Sequence, residues 1–271
     1  MKRVTFTIAG LLGASAGWSG FILAQEPGVS RGIADNSFLI EEAYNQEPGV
    51  VQHISALLRS RSGGAWLYTF TQEWPVWSQK SQLSFTLPVQ RVEDGAASVT
   101  GVGDVALNYR YQLAGVRGPV AVAPRLSLLL PTGAERNGLG RGALGLQANV
   151  PVSVTVARQL LTHWNVGATV IPSAGTSGYN LGASAIWLLR PAFNVLLEIA
   201  WVRSPAAASG GATTTRDELF INPGIRWTHD FSSGLQIVPG IAFPIGAGPS
   251  AGDHGIFLYL SFEHPFLKKL R

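Results

Sequence analysis

The chain has no cysteine and a single methionine, and only 13% of its 271 residues are charged. Without cysteine, neither disulfides nor thiolate-bound metal can hold it together. The charged share is roughly half that of an ordinary soluble domain, so an exterior facing water on all sides is poorly supplied. Beyond Ala24 there is also no run of the roughly 20 uncharged apolar residues that a spanning helix requires. The nearest stretch, residues 183–202, is broken by Arg190, Pro191, Asn194 and Glu198. The five histidines, His53, His163, His229, His254 and His264, show no metal-ligand spacing, and no metal or other cofactor is expected.

The N-terminus reads as an export signal. Lys2 and Arg3 precede an apolar run from Val4 to about Ala24 that contains no acidic residue. Ile22, Leu23 and Ala24 offer a small residue for cleavage, which defines a signal peptide over 1–24. A retained anchor helix is the alternative, and Gly10, Gly13, Gly17 and Gly20 make it a poor permanent span. Losing Lys2 and Arg3 takes 20 basic residues to 18 against 16 acidic ones. A nearly neutral mature chain gives no argument for nucleic acid as a partner.

What the sequence does contain is alternation. Ile256, Leu258, Leu260, Phe262 and His264 interleave with Phe257, Tyr259, Ser261, Glu263 and Pro265, the period-two signature of a strand whose sides face different media. The same pattern places Val105, Leu107, Tyr109 and Tyr111 against Ala106, Asn108 and Arg110. It recurs with Leu181, Ala183 and Trp187, with Val195, Leu197 and Ile199, and with Leu219, Ile221 and Ile225. About twelve such runs are present, each near the ~9–11 residues of a tilted transmembrane strand. Together with 32 glycines and 8 tryptophans, they predict an all-β fold, a transmembrane antiparallel up-and-down barrel over 50–266 with a short tail, 267–271. A last strand ending on Phe is the assembly signal of bacterial outer-membrane barrels; here the tail follows Phe266.

Charge phase sets which side is which. Glu73, Arg110, Arg125, Glu198, Arg226 and Glu263 all fall in the polar phase of their strands. A charge at mid-membrane on the lipid face costs about 2–4 kcal/mol, so six in the wrong phase would exceed a typical domain stability of ~5–15 kcal/mol. These six are therefore the candidates for the lumen, as a selectivity constriction or as Arg–Glu pairs that close it. Connection lengths agree: 113–118, 158–159, 190–192 and 230–232 are short, as periplasmic turns should be, while 91–101, 131–141, 204–215 and 245–253 are longer. Trp66, Trp74, Trp77, Trp164, Trp201 and Trp227 fall towards strand ends, where interfacial girdles belong. A secreted sandwich or lipocalin-like barrel is the soluble alternative.

Residues 25–49 form a short N-terminal periplasmic segment of different composition. Asp35, Asn36 or Ser37 can cap a short helix and Pro48-Gly49 can end it. Glu41, Glu42, Asn45, Gln46 and Glu47 make this a candidate plug or latch at the barrel mouth; the alternative is a solvated leader that helps assembly.

Several runs resemble one known group. These are residues 41–53, then Gly101-Val102-Gly103-Asp104-Val105 leading to Tyr109-Arg110-Tyr111, then Pro131-Thr132-Gly133, then the terminal aromatic strand. They are similar to the outer-membrane proteins grouped with a meta-cleavage phenol-degradation pathway, over most of residues 37–266. The resemblance implies a transporter-like barrel in the outer membrane and suggests aromatic or hydrophobic solutes; it carries over no catalytic residue. The expected function is thus a passive channel or transporter for small solutes, not an enzyme. Its expected partners are outer-membrane lipids and lipopolysaccharide, the barrel-assembly machinery and the solute.

Two other functions compete. One is a non-transporting envelope or assembly protein. The other is an outer-membrane lipid hydrolase, because His53-Ile54-Ser55 has the His-x-Ser spacing that places both residues on one strand face, here expected to be the lumen side. Ala56-Leu57 follow, where the barrel phospholipases have Asn-Gly. The Gly140–Gly145 run fits G-x-G-x-x-G by letter only, without a βαβ context. Glu93, Asp94, Glu135 and Asp253 sit in expected outer loops, open to divalent ions or to plain solvation.

Overall fold

A computed structural model describes residues 37–94, 97–115, 118–207 and 213–266. The expected signal peptide, its cleavage site and the tail 267–271 lie outside the described residues. Among the described residues the ordered elements are strands and three short 3-10 turns, and no helix is long and apolar enough to cross a membrane.

The strands in the first half are β1 (Val50–Ser60), β2 (Trp66–Val76), β3 (Ser78–Asp94), β4 (Ala97–Val102), β5 (Val105–Tyr111), β6 (Val120–Val122), β7 (Arg125–Leu130) and β8 (Gly145–Ala157). Those in the second half are β9 (Leu160–Ile171), β10 (Thr176–Arg190), β11 (Phe193–Ala207), β12 (Thr213–Trp227), β13 (His229–Asp230), β14 (Gln236–Ala242), β15 (Ile245–Gly246) and β16 (Gly255–Pro265). Some are pieces of one stave: β4 with β5, β6 with β7, β12 with β13, and β14 with β15. Twelve antiparallel staves result. The sheet closes where β1 pairs with β16, from Val50↔Pro265 to Ser60↔Gly255. Closure removes the edges that hydrocarbon could not satisfy.

Outward and inward faces follow the alternation. On β12 the outward Ile221 and Trp227 are exposed while the inward Glu218, Phe220, Asn222 and Arg226 are buried. The outward Asp217 and Trp227 on this strand bracket Leu219, Ile221, Pro223 and Ile225. Ten residues at ~3.3 Å and ~40° tilt give about 25 Å, the height of an outer-membrane apolar band. Asp217 is paired with Arg203 at 2.8 Å at that outer limit. Exposed Trp164, Trp187 and Trp227 mark the other limit.

Three expectations are corrected. First, the segment expected as a short helix ending at Pro48-Gly49 is not helical; it is irregular, with bends at 38–40 and 43 and a turn at 48–49. Its backbone donors are claimed by barrel side chains, as detailed below. Second, β1 reverses the simple rule of polar side inward. Ile54, Ala56 and Leu58 point in and join a buried apolar cluster with Leu196, Phe220, Phe257 and Tyr259. His53 and Ser55 therefore face outward, not to the lumen. His53 stacks on His264 and Phe70, and Ser55 bonds Tyr68, so no Ser–His pair is assembled there. Third, the long outer connections are partly ladder. β3 and β4 run on together to Asp94↔Ala97, and β11 and β12 to Ala207↔Thr213.

Candidate functional site

The lumen contains a second piece of chain, residues 37–47, and this piece makes a circuit of the inner wall. Phe38 packs against Phe257 and Tyr259 of β16, with ring centroids 5.5 and 5.7 Å away. Leu39 and Ile40 donate their N–H groups to Glu198 Oε1 on β11, at 2.8 and 3.2 Å. Glu41 exchanges backbone bonds with the Asn165 amide on β9, both at 2.7 Å. The Ala43 N–H reaches Ser153 Oγ on β8 at 2.7 Å, and its carbonyl accepts from Gln112, just beyond β5, at 2.7 Å. Asn45 N–H donates to Gln112 Oε1 (3.0 Å) and Gln46 N–H to Gln82 Oε1 on β3 (2.6 Å). The chain then enters β1 at Val50.

Size explains the circuit. Twelve staves at ~4.8 Å and ~40° tilt give a backbone radius on the order of 12 Å. A side-chain layer of about 5 Å leaves an inner perimeter near 44 Å, and residues 38–50 extended at ~3.3 Å each reach about 40 Å. About one turn of chain thus lines the lumen as a belt. Lacking a neighbouring strand on this path, its N–H groups must find other acceptors or remain orphaned. Asn, Gln, Ser and Glu side chains of the wall supply them. Residues 37–43, 45 and 46 are all buried, Glu41 and Gln46 completely.

Belt and wall are matched in polarity. Phe38, Leu39 and Ile40 lie in the apolar cluster formed with residues of β1, β2, β10, β11, β12, β14 and β16. Gly224 and Gly240 make room for the ring: a Cβ on either would come within 2.5 Å of a Phe38 ring carbon. Glu41 to Gln46 then run along the polar half.

All six candidate wall charges are buried inside the barrel. Arg125 holds Glu41 in a fork, Nε to Oε2 at 3.1 Å and Nη2 to Oε1 at 2.5 Å. Its remaining donors go to the wall: Asn108 Oδ1 at 3.0 Å, Gln147 Oε1 at 3.0 Å, and Ser127 Oγ. Arg110 donates to Asn45 Oδ1 (3.0 Å) and to the Tyr44 carbonyl (2.7 Å), and lies 3.8 Å from Glu73. Glu73 accepts from Gln82 at 2.7 Å. Glu198 binds the belt at Leu39 and Ile40 and accepts from Asn222 at 2.5 Å. Arg226 flanks Gly240 and faces Asn194 across the ladder. Glu263 faces Gln52 and Gln236 in the ladder. Of the belt candidates, Glu42 contacts His163 at 3.1 Å, Gln46 donates to Gln52 at 2.5 Å, and Glu47 turns the chain by accepting from Val50 N–H at 3.1 Å.

The strongest described Arg–Glu contact therefore joins belt to wall rather than wall to wall. The neutral partners Asn165, Ser153, Gln112 and Gln82 escape a search for charges, because amide and hydroxyl side chains are common on any strand. Their legible trace is position: each falls in the inward phase, in the half of its strand nearest the expected periplasmic turns. Among the described residues no cluster of three or more His, Asp or Glu is suited to a metal.

No protein-family model matches the chain, and no curated protein matches it by sequence. Solved structures do. An outer membrane channel from Pseudomonas putida F1 aligns over 83% of this chain and 97% of its own, with a TM-score of 0.56 and 12% identity. The KdgM porin aligns over 80% and 99%, and the NanC porin over 78% and 98%, each with a TM-score of 0.50 and 8% identity. At these identities the likeness is one of fold: a closed 12-strand antiparallel barrel of the kind those channels and porins use.

Proposed function

We propose that this chain is an outer-membrane channel for small solutes, shut in this structure by its own belt. The carrying observation is that a separate stretch of chain, residues 37–47, is buried within the lumen and held through wall side chains. A barrel whose staves filled their own interior would have no use for such a stretch. The fold shared with an outer membrane channel and two porins supports the same reading, as does the ~25 Å apolar band. Location in the outer membrane, export by the leader, and contact with lipopolysaccharide and the assembly machinery belong to this proposal. That the solute is aromatic or hydrophobic rests on the resemblance to the meta-cleavage group. A hydrolase is disfavoured by the separate partners of His53 and Ser55.

The complete burial of Glu41 and Gln46 favours one competing reading, a permanently closed envelope protein. Single-channel recording of refolded mature protein separates the two. The channel reading expects rare openings that become frequent in Phe38→Ala. Silence of both proteins, each shown folded by its heat-dependent gel mobility, would leave the non-transporting reading.

A further inference from the structure

The belt is held at two places that the wall builds for itself. At the first, the Arg125 guanidinium is oriented by Asn108, Ser127 and Gln147, all neutral and all on barrel staves. These three fix the plane of the fork whether or not Glu41 is present. Its Nε–Nη2 edge then faces the lumen in the bidentate geometry that fits a carboxylate. At the second, Gly224 and Gly240 leave a recess beside Phe257 and Tyr259 that takes one six-membered ring. Phe38 and Glu41 fill the two, three residues apart in sequence and so at most about 10 Å from Cα to Cα.

Withdrawal of the belt would expose both features together. A desolvated arginine without an anion is costly, and an apolar recess left empty forfeits its contacts. A solute carrying an apolar body and one carboxylate restores both at once; a neutral solute restores one.

We propose that the lumen selects small amphipathic carboxylates, with the acid on the Arg125 fork and the apolar body in the recess between Gly224 and Gly240, so that Phe38 and Glu41 act as a built-in occupant of the solute site. This rests on the channel reading and names its substrate class. The common alternative account of Arg125, a mere anchor for the belt, requires no preference among solutes.

The test uses 6-phenylhexanoate, its neutral amide and hexanoate as probes, on full-length mature protein in detergent, by calorimetry. Glu41→Gln frees the fork and should bind the phenyl acid at least tenfold more tightly than the amide. Adding Arg125→Gln should abolish that preference. Phe38→Ala opens the recess and should favour the phenyl acid over hexanoate at least fivefold, which keeps the idea testable should Glu41→Gln fail to fold. Equal binding of acid and amide by folded Glu41→Gln, an acid preference that survives Arg125→Gln, or no preference for the phenyl acid over hexanoate in Phe38→Ala overturns the proposal. Conductance recorded in parallel separates the two claims. Conduction without acid preference sinks the carboxylate site and spares the channel; acid preference without conduction does the reverse.

Discussion

Glu41 lies in the fork of Arg125, with its two carboxylate oxygens 2.5 and 3.1 Å from Nη2 and Nε, and both side chains are buried. The two residues are 84 positions apart in sequence. This pair fastens the polar half of the belt, as Phe38 fastens the apolar half. Between them the bonds of Leu39 and Ile40 to Glu198 fix the path of the backbone, and those to Asn165 and Ser153 continue it from Glu41 to Ala43.

Breaking the pair from one side should therefore be worse than removing it. Truncating one partner of a buried ion pair costs about 3–5 kcal/mol, because the other charge stays desolvated, while an apolar replacement of both is often close to neutral. Arg125→Met should lower stability by that amount, and Glu41→Leu by less, since Asn108, Ser127 and Gln147 still satisfy part of the guanidinium. The double variant should recover most of the loss. A double-mutant cycle in urea, with folded mature protein in detergent, measures the coupling. Strict additivity would mean that the fork and the carboxylate do not meet.

Filling the ring recess should dislodge the start of the belt. A methyl at Gly240 collides with Phe38 at 2.5 Å, with Phe38 itself packed on Phe257 and Tyr259. Overpacking of this kind costs about 1–3 kcal/mol. Gly240→Ala should make a cysteine at Ser37 react faster with a water-soluble thiol reagent, because Ser37 is held to Ser184 only one residue before the displaced ring. Gly240→Ala with Phe38→Ala should bring the stability cost back down. Unchanged labelling in Gly240→Ala would show that the ring does not hold the belt.

How much of this could be read from the residues depends on where one looks. The phase of Asn108 and Arg110, or of Asn194 and Glu198, is legible because lipid punishes the wrong choice by kilocalories. The phase of β1 is not: Ile54, Ala56 and Leu58 look like lipid-facing residues, and only the presence of Phe38 inside the barrel makes their inward placement favourable. The belt itself misleads. Glu41, Glu42, Ala43, Gln46 and Glu47 are good helix formers, yet a helix would forfeit the bonds to Asn165, Ser153, Gln112 and Gln82, and propensity of a few tenths of a kcal/mol per residue loses to that. Gly224 and Gly240 carry no signal alone, since glycine is abundant throughout the chain.

The wall is not equally strong around its circumference. β1 and β16 pair without interruption, whereas β12 meets β14 over Gly224–Arg226 and β15 over Phe220–Ile221, with Pro223, Pro239 and Pro244 nearby. Proline removes a ladder donor. Hydrogen exchange in detergent should therefore open amides of β14 and β15 first and those of β1 last, with protection differing by at least tenfold. Uniform protection would show that backbone bonds outside these ladders make up the difference.

The lipid boundary gives a test that does not involve the belt. Ile221 and Trp227 share the outward face of β12 and are both exposed, but Ile221 lies near mid-band and Trp227 at its edge. Arginine at mid-membrane costs about 2–4 kcal/mol and near the interface only about 0–1. Ile221→Arg should therefore cost most of that upper figure, and Trp227→Arg little, in folding titrations into phospholipid vesicles. In the same vesicles Thr215→Arg, exposed on the same outward face beyond Asp217, should be nearly silent. The order of the three costs follows from depth alone. If Ile221→Arg and Thr215→Arg cost the same, β12 has no hydrocarbon against it, and a water-facing barrel would have to replace the transmembrane one.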